Sequence, residues 1–123
     1  EAILAQRLVR RICSKCIEET NLTPEMLAEL EIKMEDVVGK QIYKGKGCDH
    51  CNNTGYRGRV GLYELLSVND EIQDLIIEGA STALLRDAAR RNGMVPLREA
   101  GLERAYEGLT TIEEVIRETI LDG

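Results

Sequence analysis

Two short repeats, Cys13-Ser14-Lys15-Cys16 and Cys48-Asp49-His50-Cys51, hold every cysteine of this 123-residue chain. Two residues between cysteines let both sulfurs of one tight turn reach a single ion. Two such turns supply the four ligands of a closed, tetrahedral, structural zinc site. Cys13, Cys16, Cys48 and Cys51 are therefore the candidate metal ligands. The 31 residues between Cys16 and Cys48 exceed the usual zinc-ribbon spacing, so something folds as an insert between the two knuckles. The second knuckle runs on through Asn52, Asn53, Thr54, Gly55, Tyr56, Arg57 and Gly58. Its glycines suit a backbone that turns sharply beside a metal.

Other uses of four cysteines stay open. They can form two disulfides, although nothing marks the chain as secreted. A CxxC can be a redox motif, but two of them without a thioredoxin-like βαβ pattern argue against that. The site can also stand empty. His50 could replace one cysteine as ligand; with four sulfurs already present it reads as an exposed loop residue.

The chain has no Phe and no Trp, so its core must come from Ile, Leu, Val, Ala and Met. No apolar run approaches the length of a membrane span and no signal peptide opens the chain, which makes a cytosolic protein with reduced thiols the default. Residues 1–61 carry a net charge of +1 and residues 62–123 a net of −7. An acidic balance argues against non-specific nucleic-acid binding as the main activity. The basic residues cluster as Arg7, Arg10 and Arg11, then Lys40, Lys44 and Lys46, then Arg57 and Arg59. They form either a solvated surface or a face for an acidic partner or a phosphate.

The opening residues Glu1 to Leu8 read as the end of a helix that begins earlier, as in a piece of a longer protein. Leu8, Val9 and Ile12 lead into the first knuckle as a short strand or a last helical turn. Thr23, Pro24 and Glu25 give an N-cap, a first-turn proline and a first-turn acid, predicting a helix from Pro24 to Leu30. Gln41–Lys44 is a candidate strand. Arg59–Leu66 alternates as a strand, with Val60 and Leu62 on one face and Tyr63 and Leu65 on the other. These two segments could pair as a hairpin.

From Asn69 the pattern turns helical. Asn69 caps a helix with Ile72, Leu75 and Ile76 inward, stopped by Gly79. Ser81 caps the next, with Leu84, Leu85, Ala88 and Ala89 inward and Asn92-Gly93 at its end. Pro96 opens a third, with Leu97, Gly101, Leu102 and Ala105 inward. Thr111 to Glu114 reads as a capping box before Val115, Ile116 and Ile120. The expected architecture is α+β, mostly α. A tetracysteine zinc-knuckle module with short strands and a helical insert spans residues 1–67, and a small bundle of about four helices spans 68–123.

The chain contains no GxxxxGK[ST], GxSxG or HExxH motif. A single His is too few for His-based catalysis. A zinc with four cysteines has no open coordination position. No catalytic and no cofactor-binding residue is predicted, and an interaction or structural role is favoured over an enzymatic one.

The run from Ala5 to Cys16 and the run from Gly47 to Leu66 together resemble a known family. So do Glu78-Gly79-Ala80, Gly93 to Gly101 and Gly108 to Val115. They look like the C-terminal region of the type II secretion and type IV pilus assembly ATPases. The resemblance covers nearly the whole chain, with residues 17–46 matching loosely. It implies a cytoplasmic motor, usually a homo-hexamer peripheral to the inner membrane, in which ATP hydrolysis drives pilus extension or secretion through an inner-membrane platform protein. The family's nucleotide-binding motifs lie before the part matched here. ATP and Mg2+ would then belong to the parent protein alone, and what carries over is the metal site at Cys13, Cys16, Cys48 and Cys51. Ser14 departs from a frequent proline, which changes the knuckle's rigidity and not its ligands. The implied partners are the remainder of the ATPase chain, its copies and the platform protein, with no nucleic acid. The competing reading is a free-standing zinc-knuckle module that binds protein or nucleic acid.

Overall fold

The computed structural model describes residues 2–94 and 96–119. Strand β1 (Ala2–Ile12) runs into the first knuckle, and β2 (Ile17–Thr20) leaves it. Helix α1 (Pro24–Leu30) and a 3-10 turn over Met34–Val37 fill the insert. Strand β3 (Ile42–Gly45) then enters the second knuckle, and β4 (Tyr56–Ser67) leaves it. Four helices follow: α2 (Asp70–Ile77), α3 (Thr82–Arg91), α4 (Leu97–Tyr106) and α5 (Ile112–Glu118).

The opening segment is a strand and not the end of a helix. Ala, Leu, Gln and Arg favour helix intrinsically, but β1 finds an antiparallel partner in β4 from Ala2↔Ser67 to Arg10↔Arg59, and pairing overrides propensity. The register shifts between Arg10 and Ile12. This irregularity lets Val9 and Ile12, three residues apart, both point into the core, with Leu8 outside. A strict period of two would have turned Ile12 to solvent.

The strand pairing also differs from the expected hairpin. β3 pairs with β2, from Ile17↔Gly45 to Thr20↔Ile42, and β4 pairs with β1. The reason lies in the knuckles. Each is flanked by one strand from each two-stranded sheet, so the β2–β3 pair closes the 31-residue gap and carries Cys48 and Cys51 back to Cys13 and Cys16.

Local signals in the helices hold well. Thr23, Asn69, Ser81 and Thr111 each cap a helix with a side-chain oxygen that accepts a backbone N–H. Their packing is not that of one four-helix bundle. Helices α2 and α3 form a hairpin around Ile72, Ala88 and Ala89. Helices α4 and α5 pack on each other and on β1 and β4, and α1 packs on α5. Leu30, Ile42, Ala105, Ile112 and Val115 make that second core, so it draws residues from both sides of position 67. Ile76 and Leu84, expected inward, are 48% and 55% exposed, because a two-helix hairpin has no third layer to cover a second stripe. Val115 is buried as expected, whereas Ile120 lies outside the described residues. No helix among the described residues is long and apolar enough to cross a membrane.

Candidate metal centre

Cys13 sits at the end of β1, where its N–H donates to the Gly55 carbonyl at 2.9 Å. A tight turn returns the chain, with the Cys16 N–H reaching the Cys13 carbonyl at 3.4 Å. The Cys16 carbonyl in turn accepts the Lys46 N–H at 3.0 Å, which ties the first knuckle to the start of the second. Cys48 opens a 3-10 turn over Asp49–Cys51. Asn52 and Asn53 follow at φ of 55° and 61°, the left-handed region that Asn tolerates better than most residues. Their N–H groups bond back to the carbonyls of Asp49 and Cys48.

This geometry brings all four sulfurs within 4.8 Å of one another. The Cys13–Cys48, Cys16–Cys51 and Cys48–Cys51 separations are each 3.8 Å. All four thiols are free, and no pair is bonded as a disulfide. Cys13 and Cys51 are buried while Cys16 and Cys48 are half-buried.

Backbone amides point at two of the sulfurs. Cys51 Sγ accepts from the N–H of Cys48 at 3.3 Å and of Gly55 at 3.2 Å, and Cys16 Sγ accepts from Gly47 at 3.3 Å. Burial alone would raise the Cys51 thiol, but the Cys48 and Gly55 amides outweigh it, helped by the Cys48 and Cys16 sulfurs, and bring it down to about 6. For Cys16 burial wins over the single Gly47 amide, and with the neighbouring sulfurs it pushes the thiol up to about 12. His50 is exposed and contributes its carbonyl, which accepts from Arg57 at 2.9 Å. It does not join the sulfur group.

One group the sequence did not single out fixes the centre to the helices. Glu114 is 2% exposed. Its Oε1 accepts the backbone N–H of Arg10 at 2.7 Å, and its Oε2 lies 3.2 Å from the Arg10 guanidinium and 2.9 Å from that of Arg117. The Arg10 guanidinium also lies over the Tyr56 ring, 4.0 Å from its centroid, and the Tyr56 hydroxyl meets Thr111 Oγ1 at 2.8 Å. Thr110 Oγ1 donates to the Arg10 carbonyl and the Ile12 N–H donates to Leu109. The α4–α5 connection thus covers the edge of β1 that β4 leaves open, just before Cys13. Arg10, read from sequence as part of a basic cluster, finds its acidic partner within its own chain. Glu114 was legible only as a capping-box acid. Nothing local distinguishes an acid that turns back on its own helix from one that reaches a strand.

Burial works against the Glu114 carboxylate, but the Arg10 side chain and backbone N–H, then the Arg10 and Arg117 charges, hold it below the ordinary carboxylate range. Its contribution is therefore complete above the unfolded carboxylate range and is lost as pH falls through its lower folded value. Glu114→Gln should cost about 1.5–3 kcal/mol near neutral pH. In denaturant titrations the gap between the two proteins should close as pH drops from about 5 to 3. A gap that does not vary with pH would contradict the ionised pairing.

Comparison with known proteins agrees with the resemblance. Residues 1–117 match the family model described as Type II/IV secretion system protein. The chain is 47% identical over 118 residues to the Type IV pilus assembly ATPase PilB of Thermus thermophilus, covering 96% of this chain and 13% of that protein. It is 40% identical over 121 residues to PilB of Myxococcus xanthus, covering 98% of this chain and 21% of the relative. It is also 36% identical over 118 residues to the Type II secretion system protein E of Aeromonas hydrophila, covering 96% and 23%. In each case the chain spans less than a quarter of the relative's length. With 117 of its 123 residues in the match, the chain belongs to the type II/IV secretion system protein family and corresponds to a region of a secretion or pilus assembly ATPase.

Proposed function

We propose that the chain is the C-terminal, nucleotide-site-lacking part of a motor that powers type IV pilus assembly or type II secretion. In this reading a structural zinc ion at Cys13, Cys16, Cys48 and Cys51 holds the region in the shape through which the motor couples to its membrane platform. The parent is a cytoplasmic ATPase, hexameric and peripheral to the inner membrane through its partners. ATP and Mg2+ bind elsewhere in that protein.

The observation that carries the metal part is the sulfur spacing. Four thiolates about 2.3 Å from a central zinc lie ~3.8 Å apart along each edge of the tetrahedron, and three of the separations here are 3.8 Å. Amides aimed at Cys16 and Cys51 stabilise the ionised sulfurs that a metal requires. With four protein ligands a bound zinc would be closed to water and substrate, so it would supply folding free energy rather than catalysis. The motor part is supported by the family match over nearly the whole chain.

The isolated chain should neither bind nor hydrolyse ATP, since it has no glycine-rich phosphate cradle. Equilibrium dialysis with labelled ATP and a phosphate-release assay check this. Turnover that copurifies with the chain through successive columns would contradict the assignment. In the full-length protein, Cys48→Ser should abolish pilus assembly or secretion while ATP still binds. Normal assembly or secretion by that variant would overturn the coupling role.

A further inference from the structure

The four sulfurs are not equally protected. Cys51 Sγ is buried and accepts two backbone N–H bonds; Cys16 Sγ is half-buried and accepts one. Cys13 Sγ is buried. Cys48 is half-buried and its Sγ lies 3.8 Å from both Cys13 and Cys51, whereas the half-buried Cys16 has its 3.8 Å neighbour in Cys51. A hydrogen bond withdraws charge from a thiolate, and burial blocks the approach of an oxidant. Cys48 thus combines access with two neighbouring sulfurs poised to close on it.

We propose that the cluster is a peroxide-responsive switch in which Cys48 is oxidised first and Cys13 closes a disulfide onto it, expelling the metal and loosening the join between the two knuckles. The inference rests on the metal-centre reading above. The Cys48 thiolate attacks one oxygen of hydrogen peroxide, the O–O bond breaks, and a sulfenic acid forms with release of hydroxide. The Cys13 thiolate then attacks the Cys48 sulfur, the S–O bond breaks, a second hydroxide leaves and the S–S bond forms. Two thiolates lose two electrons in all, and one peroxide gains them. Cys13 is the partner because Cys51 is held by the Cys48 and Gly55 amides, whereas no such bond restrains Cys13. Two thiolates remain, too few for the closed site.

The test begins with native mass spectrometry of the reduced chain, then adds hydrogen peroxide in equimolar steps. Freed zinc is read with a chromogenic chelator, and thiols are mapped by alkylation and peptide mass spectrometry. The expected result is one zinc released per peroxide consumed, a Cys13–Cys48 disulfide as the first product, and recovery of the metal-bound mass on adding dithiothreitol and zinc. A metal-loaded chain that keeps its zinc under tenfold excess peroxide would overturn the switch and leave the metal site standing. So would a first disulfide at Cys16–Cys51 or Cys48–Cys51. A reduced chain with no metal before peroxide is added would overturn the metal reading and the switch together.

Discussion

Withdrawing the proposed zinc, by a strong chelator or by Cys48→Ser, should collapse amide protection across the knuckles and the strands and helices docked on them. A structural zinc site contributes ~10–16 kcal/mol of apparent binding free energy. That is comparable to the whole stability of an ordinary domain, about 5–15 kcal/mol. The loss should extend beyond Cys13–Cys16 and Cys48–Thr54. The Ile12 N–H bonds to Leu109, the Arg10 N–H bonds to Glu114, and Tyr56 bonds to Thr111, so the start of α5 is tied to the same strands that carry the cysteines. Sequence alone placed α5 in a separate bundle over residues 68–123; the contacts of Glu114 and Thr111 tie it to the strands that carry the cysteines. The α2–α3 hairpin should behave differently. Its core is Ile72, Ala88 and Ala89 with a few half-buried neighbours, so it opens locally whether or not the metal is present. Hydrogen exchange should therefore show a large loss at Val9–Cys16, Tyr56–Leu62 and Ile112–Val115. Amides of Ile72–Ile76 and Leu84–Ala89, weakly protected from the start, should change little. Retained protection in α5 would show that the helices after residue 67 fold without the knuckles.

The second large effect is expected at a glycine that carries no chemistry. At Gly45, the last residue of β3, a Cβ would lie 2.0 Å from the Gly55 carbonyl oxygen and 2.5 Å from its Cα. The obstacle is backbone, and it is fixed twice. Gly55 O accepts from the Cys13 N–H, and Gly55 N donates to Cys51 Sγ. Relieving the clash means moving a residue bonded to both knuckles. Gly45→Ala should cost about 3 kcal/mol or more and weaken metal binding as well. Gly39→Ala is the control. Unlike Gly45, Gly39 sits at a positive φ, 81°, but a Cβ there meets nothing within 4 Å, so the substitution should cost only about 1 kcal/mol and leave the metal affinity alone. Chemical denaturation of the metal-loaded proteins and competition with a zinc chelator measure both quantities. Equal behaviour of the two variants would contradict the close crossing of β3 and the second knuckle.

Local chemistry was legible in the sequence, and long-range placement was not. The four N-caps, the Pro24 start of α1 and the four-cysteine group follow from spacing and residue type, which act over a few positions. The strand character of the first half of β1 is invisible in its own residues, and residues 8–12 read as either a strand or a helical turn, because the strand comes from pairing with β4 more than forty positions away. The β2–β3 pair was missed for a related reason. Ile17–Thr20 is four residues long and half exposed, with no sequence pattern of its own, and it is ordered by pairing with β3, between the knuckle that precedes β2 and the one that follows β3. The α2–α3 hairpin shows the opposite error. Its apolar stripes promise more burial than two helices can supply, and Ile76 and Leu84, expected inward, stay exposed.

The most direct test of the metal centre is X-ray absorption at the zinc edge on chain purified under reducing conditions, with metal content measured in parallel. The account predicts one zinc per chain surrounded by four sulfurs at about 2.3 Å, with no nitrogen or oxygen neighbour. A coordination shell that includes nitrogen or oxygen, or a metal-free chain bearing two disulfides, would contradict it.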